Sequence, residues 1–268
     1  MNRLSTQRLI QWPRAKYWDK AWNPIIGCRP ISPACDNCYA RTSTERFKCS
    51  FAPHLAKRER PPCKGVVFCG NMTDLFGDWL TDSWLNEDAH IDLIIRTLGY
   101  SHRGATYLWL TKRPRAMCNA LERGVTIPSD DPDCDDISFR DCEFCNQFFG
   151  FTAENQEWYD RRFKVWRSER PEWANGWLSA EPLLGPIDLH LDCIAPENLP
   201  FKWIVVGCES GAKRRPCKIE WVEGIICQAL ARDIPVFVKQ LDIGGKCETD
   251  IEKFPKDFRI RQVPWAKQ

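Results

Sequence analysis

The chain keeps a strict rhythm of short apolar runs and amphipathic stretches, and few folds tolerate it. The runs are residues 65–69 (GVVFC), 106–110 (TYLWL), 148–152 (FFGFT), 177–180 (WLSA), 203–206 (WIVV) and 236–238 (VFV). Each is rich in β-branched or aromatic residues and stops at polar residues or glycine, as a strand buried on both faces does. Between them, residues 82–98, 114–123, 155–170 and 220–232 carry apolar positions at helical spacing. In the last of these, Trp221, Ile225, Ile226, Ala229 and Leu230 recur at intervals of three and four. Alternation without consecutive hairpins predicts a parallel sheet with right-handed crossovers. Six such units predict an α/β fold, a partial (β/α) barrel of about six parallel strands, with an open doubly wound sheet as the alternative. Residues 1–268 then form one domain. Residues 128–146 (PSDDPDCDDISFRDCEFCN) break the rhythm: they are acidic and loop-like and read as a cysteine-containing insertion.

Fifteen cysteines are many for a chain with this frame, and their number is odd. The spacing is not that of a small secreted disulfide scaffold. No apolar run approaches the roughly 20 residues of a membrane span, and the N-terminus lacks a secretory apolar core, so a cytoplasmic protein without a membrane partner is expected. In a reducing compartment scattered cysteines are mostly small buried residues, and Cys118 and Cys227 are read so. Clustered ones are ligands. Residues 22–40 (WNPIIGCRPISPACDNCYA) hold Cys28-x6-Cys35-x2-Cys38 on a Gly- and Pro-rich loop before a helix start. Three thiolates so placed can hold three irons of a [4Fe–4S] cluster and leave the fourth open. A zinc site completed by a distant fourth ligand is the other reading. Cys134, Cys142 and Cys145 in the insertion form a candidate second metal or cluster site that lacks a fourth ligand.

The polar residues fall where a ligand crevice belongs. Gly70, Asn71, Thr73 and Asp74 follow the first run, and Lys112 and Arg113 the second. Glu154 follows the third, Glu181 the fourth, Glu209 and Ser210 the fifth, and Lys239 and Gln240 the sixth. In parallel α/β folds the carboxyl ends of the strands line the binding site, so these clusters predict one convergent polar pocket. Asn71, Thr73 and Asp74 suit an amino group, a carboxylate or ribose hydroxyls. Lys112 and Arg113 suit phosphate or carboxylate, Arg113 having a surface charge at a helix start as its plainer reading. Glu154, Glu181, Glu209 and Lys112 are candidate acid–base groups. A net charge of +2 argues for no polyanion by itself. Residues 57–60 and 213–215 are short basic runs, read first as solvated loops and second as nucleic-acid contacts. The four histidines have no metal spacing; His190 reads as a surface or packing residue. Most of the 13 tryptophans sit at core positions, and Trp22 is expected to shield the cysteine loop.

The blocks WNPIIGCRPISPACDNCYA, GNMTDLFG, LWLTKRP, GFTAENQ, LSAEPLLGPIDL, VVGCESG and PVFVKQ, in this order over residues 17–245, resemble a family of phage and prophage proteins of unassigned activity. That family in turn resembles radical S-adenosylmethionine enzymes, with a three-cysteine loop followed by a partial barrel. The resemblance implies that Cys28, Cys35 and Cys38 ligate a [4Fe–4S] cluster whose open iron binds S-adenosylmethionine. It implies that Gly70–Asp74 lies near the methionine amino group, and that the segment at Glu209, with Ser210 and Lys239, belongs to the cofactor site. The chemistry implied is a 5′-deoxyadenosyl radical abstracting hydrogen from a substrate, with an external electron donor as partner. A phage setting brings the expectation of a nucleobase or nucleic-acid substrate and of the host cytoplasm. Two features depart from the superfamily pattern: the first gap is six residues instead of three, and Asn37 stands where an aromatic residue usually precedes the last cysteine. Two rival readings use the same residues. One is a zinc-binding, non-redox protein that binds nucleic acid or a partner protein; the other is a hydrolase built on Glu154, Glu181 and Glu209.

Overall fold

A computed structural model describes residues 10–56, 60–78, 104–122, 126–127, 137–138 and 146–265. The expected helix over 82–98, most of the basic run 57–60, and Cys134, Cys142 and Cys145 lie outside the described residues. Eight strands form one sheet: β1 (Lys20–Trp22), β2 (Gly65–Cys69), β3 (Ala105–Thr111), β4 (Gln147–Thr152), β5 (Asn175–Ala180), β6 (Trp203–Gly207), β7 (Val236–Ile243) and β8 (Lys246–Glu248). All six expected strands are present, extended by one to five residues where they differ at all. The two additions are β1 and β8, three residues each.

Spatial order follows chain order from β1 to β8. Each pair from β1–β2 to β6–β7 is parallel, and β8 returns antiparallel on β7. A doubly wound sheet reverses its order at a switch point. This one never reverses, so it curls into a half-barrel. Four described helices accompany it: α1 (Tyr39–Arg46), α2 (Pro114–Glu122), α3 (Gln156–Glu169) and α4 (Ile219–Leu230). None of the described helices is long and apolar enough to cross a membrane. Thr126–Ile127, just before the insertion, pairs antiparallel with Ile137–Ser138 inside it.

Strand alternation divides the apolar residues into two cores. Val67, Cys69, Tyr107, Trp109, Leu178, Ile204 and Val206 face the helices. Val66, Phe68, Leu108, Phe148, Trp177, Trp203, Val205 and Phe237 point into the concave face. That hollow is filled at its amino-terminal end by large rings. Tyr17 packs edge-on against Trp203 at 5.1 Å and Phe237 at 5.4 Å, Trp177 lies 5.2 Å from Trp203, and Trp265 closes on Trp203 at 4.8 Å. Each such pair contributes about 0.5–1.5 kcal/mol beyond its burial. Beyond the plug, the end where the strands terminate stays open. Trp22 is not a shield over the cysteine loop: it packs edge-on against Trp109 in the helix-side core. Cys118 is buried as expected, whereas Cys227 is exposed on α4.

Close ring packing demands small neighbours. Gly150 lies in the middle of β4, where a Cβ would stand 2.6 Å from Cδ1 of Trp177 and closer still to the Trp177 carbonyl oxygen. Gly150→Ala is expected to destabilise the fold by about 1–3 kcal/mol, because β5 backbone must shift to admit the methyl. Urea denaturation followed by tryptophan fluorescence measures this; an unchanged midpoint would show that β4 and β5 are not packed so tightly.

Candidate active site

The carboxyl ends of the strands surround one cleft of about 410 Å³, within the range of about 300–1,000 Å³ for small-molecule sites. Cys28, Cys35 and Cys38 line it. So do Gly70, Asn71, Thr73, Asp74, Lys112, Glu181, Glu209, Ser210 and Lys239. Of the residues expected there and described, Glu154 and Gln240 do not line it; Gln240 is buried and donates to the Cys208 carbonyl. Tyr17, Trp18, Phe68 and Leu110 give the cleft an apolar floor, continuous with the ring plug below.

The three cysteines are free thiols on a loop that crosses the strand ends. Pro33–Cys35 forms a single 3-10 turn, and α1 starts directly after Cys38. Gly27 enters the loop at φ +94°, where a Cβ would lie 2.5 Å from the Ala52 carbonyl oxygen, so only glycine fits. Burial, with Asp74 nearby, pushes the Cys28 thiol up to about 12. Its proton must therefore be displaced by any electrophile that binds there.

Four strand ends pin this loop. From the end of β2, Thr73 Oγ1 donates to the Gly27 carbonyl at 2.6 Å, and Asn71 accepts from Asn23 at 2.7 Å and, through its backbone oxygen, from Tyr39. From β3, Arg113 donates to the Arg29 carbonyl at 3.2 Å. After β4, Glu154 faces the Ala34 N–H at 3.5 Å. After β6, Glu209 accepts from Asn37 Nδ2 at 3.0 Å and from Arg215 through N at 2.8 Å, Nε at 3.0 Å and Nη2 at 2.5 Å. Arg215 continues to the Pro33 carbonyl at 2.9 Å and to Asp36 at 3.3 Å.

These contacts correct several expected roles. Asp74 has both oxygens committed: Oδ1 accepts from Thr111 at 2.7 Å and the Phe76 N–H at 3.1 Å, Oδ2 from the Lys112 N–H at 3.0 Å and Arg113 at 3.1 Å. It ties β2 to β3 and has no acceptor left for a cofactor. Glu154 is fully buried, paired to Arg162 at 2.6 Å, and lies beneath the loop instead of in the cleft. Arg162 also donates to the carbonyls of Thr152 at 2.8 Å and Lys112 at 3.2 Å. Arg113 is no surface charge, being paired with Asp74. Nor is residue 215 a solvated charge. Arg162 and Arg215 were both missed. The signal for Arg162 was present: with Tyr159, Phe163 and Trp166 it falls on the buried face of α3, where a lone cation needs a partner.

Glu181 and Lys239 remain in the cleft and pair with each other. A register shift aims Lys239 there: Val206 pairs with Val238 and Gly207 with Gln240, so Lys239 is the extra residue of a bulge. Its ammonium stands 5.6 Å from the Trp18 ring and 6.0 Å from Tyr17. Ser210 is exposed at the rim. His190 is half-exposed beside Asp160 and Asp188 and does not line the cleft.

Two outcomes follow from the anchoring pairs. Glu154→Gln leaves the buried Arg162 charge unpaired and is expected to cost about 3–5 kcal/mol, read as a lowered urea midpoint. Burial alone would raise the Glu209 carboxyl, but the hydrogen bonds from Arg215 and Asn37 outweigh it and hold the carboxyl below the usual range. Its stabilising contribution is present above the unfolded value of about 4.3 and is lost as pH falls through the lower folded value. Urea midpoints measured from neutral to acid pH are expected to drop on that limb, and Arg215→Ala to flatten it.

No curated protein and no solved structure matches the chain. A family model matches residues 13–262, nearly the whole of the described fold and all of the cleft. The chain belongs to that family, DUF5131, described as protein of unknown function.

Proposed function

We propose that the chain is an iron–sulfur enzyme in which Cys28, Cys35 and Cys38 hold a [4Fe–4S] cluster at the cleft, with S-adenosylmethionine as its cosubstrate. The observation that carries this reading is that all three thiols, unbridged and on one loop, line the same cleft as the strand-end polar groups. The donor set fits the group: three soft thiolates match three irons of a cluster, and the cleft beside them offers room for a ligand on the fourth. Zinc would need four ligands converging on one point. The zinc reading needs such a fourth ligand, whereas the cluster reading uses the three thiolates that line the cleft.

When bound, the pair supplies one-electron reduction of the sulfonium and hence radical chemistry on a substrate. The chain's own residues do the rest. The four-strand anchoring holds the cysteine loop in place before any ligand arrives. Asn71, Thr73 and Ser210 present amide and hydroxyl groups on the wall. Glu181 and Lys239 form a neutral pair that can take a donor and an acceptor from one ligand edge, above a floor of Tyr17, Trp18 and Phe68 that excludes water. Lys112 and Arg29 put positive charge at the cleft. A polar planar substrate such as a nucleobase, carried by a phosphate-bearing molecule, suits that combination. An external one-electron donor completes the cycle.

Anaerobic reconstitution with iron and sulfide tests the cluster. The expected product is brown and carries about four iron and four sulfide per chain, and Cys35→Ala loses the colour while keeping the far-ultraviolet circular dichroism of the fold. Stoichiometric zinc without a chromophore would overturn the reading. Formation of 5′-deoxyadenosine from S-adenosylmethionine and a strong reductant tests the radical step separately; a stable cluster that never cleaves the sulfonium would leave an iron–sulfur protein of another kind.

A further inference from the structure

A second pair of thiols lies outside the cysteine loop, and one of the two is in the cleft wall. Cys208 follows β6, is buried, and lines the cleft. Cys247 lies in β8, opposite Asp242 of β7, and is only half-buried. Their sulfurs are 3.8 Å apart, with the Cys208 S–H directed at Cys247, and no disulfide joins them.

The surroundings make the two sulfurs unequal. The Cys208 hydrogen bond, helped by the charges of Arg214 and Lys239 and opposed by burial, brings the Cys247 thiol down to about 7. The same contact, with burial, holds Cys208 well above the ordinary thiol value. Arg214, whose charge acts on Cys247, has a buried Nε without a hydrogen-bond partner. A guanidinium left short of a partner near a half-buried sulfur is the setting in which a thiolate forms.

We propose that Cys208 and Cys247 are a two-electron dithiol–disulfide couple that reaches the cleft wall through Cys208, exchanging with small-molecule disulfides, with Cys247 as the attacking sulfur and Cys208 as the resolving one. The Cys247 thiolate attacks one sulfur of a disulfide such as oxidised glutathione. The glutathione S–S bond breaks, one glutathione thiolate leaves, and a mixed disulfide remains on Cys247. Cys208 then attacks the Cys247 sulfur, passes its proton to a departing glutathione thiolate and expels the second glutathione. Two protein thiols are oxidised and one external disulfide is reduced. The internal bond forms as the sulfurs close from 3.8 Å to about 2.05 Å. Exposure and thiolate character put Cys247 first, and burial beside it makes Cys208 the second. Cys208 adjoins Glu209, which grips Arg215 and Asn37. The couple thus sits next to the anchor of the cysteine loop, yet it does not depend on what that loop holds.

The test titrates the full chain through glutathione buffers from fully reduced to fully oxidised, quenches with acid, alkylates free thiols and maps the peptides by mass spectrometry. A single two-electron transition is expected, giving a Cys208–Cys247 cross-link. Cys208→Ser is expected to stop at a glutathione adduct on Cys247, and Cys247→Ser to give neither adduct nor cross-link there. Both thiols alkylated across the whole range would overturn the proposal, as would a Cys208 cross-link to the neighbouring Cys217. The unsubstituted chain decides between these outcomes by itself, so the result stands even if a serine variant fails to fold.

Discussion

Everything at the open end of this half-barrel depends on how a short cysteine-bearing loop is fastened across four strand ends. Its fastenings are ionic and buried. Glu154 is wholly removed from solvent and would be costly there without Arg162, which in turn ties the ends of β3 and β4 through two carbonyls. Glu209 satisfies three donors of Arg215 at once, and Arg215 spends its remaining reach on the loop. A buried pair of this kind is weak evidence for stability, because desolvation opposes the attraction. Its effect is to make one position of the loop much better than any other, since sliding the loop would strand a charge. The loop's position, and with it the position of three thiols, is set before any ligand binds.

The sheet makes such a site possible by opening at its strand ends. Strict sequential order curls the sheet one way, and the concave face so formed must be filled. Aromatic rings fill it from the amino-terminal side up to Phe68, Trp177 and Trp203. Above them the strands end in small or polar residues, including Thr152 and Ser179, and the hollow becomes a cleft. Plug and cleft are thus consecutive layers of the same inward-facing positions. The bulge at Lys239 belongs to this change of character: it breaks the inward apolar alternation of β7 and puts the paired ammonium in the cleft.

Much of this frame was legible in the residues. The six apolar runs became strands because continuous β-rich runs of that length bury both faces, and their polar followers came together because parallel strands all end on one side. The two strands of this sheet that the apolar runs do not announce, Lys20–Trp22 and Lys246–Glu248, have three residues each and owe their existence to a neighbour's edge. Periodicity carries no signal for such elements. Nor could it show which polar residue faces a ligand and which faces another residue. Asp74 and Glu154 look alike in sequence, each an acidic residue after a strand. Only the partners, thirty-seven or eight positions away at Thr111 and Arg162, reveal that both are fasteners. Tyr17 and Trp18 carry no such signal either: they precede the first strand, yet they form part of the cleft floor.

The long gap between Cys28 and Cys35 acquires a physical meaning from these contacts. A three-residue gap would carry the chain from one thiol to the next with no backbone to spare. In this chain the six intervening residues supply the atoms that are gripped: the carbonyl of Arg29 by Arg113, the carbonyl of Pro33 by Arg215, and the N–H of Ala34 by Glu154. The turn at Pro33–Cys35 then places Cys35 against Ser32 and leads into the helix that follows Cys38. Asn37, standing where the resembled pattern has an aromatic residue, is likewise engaged, donating to Glu209 and to the Lys213 carbonyl. Both departures from that pattern are therefore coupled to the residues that pair with them, Arg215 above all. A loop shortened to three residues between the first two cysteines would lose these handholds together, and the buried carboxylates of Glu154 and Glu209 would have fewer donors to meet. Spacing and fastenings form one unit, and they constrain the cleft more tightly than the cysteines alone.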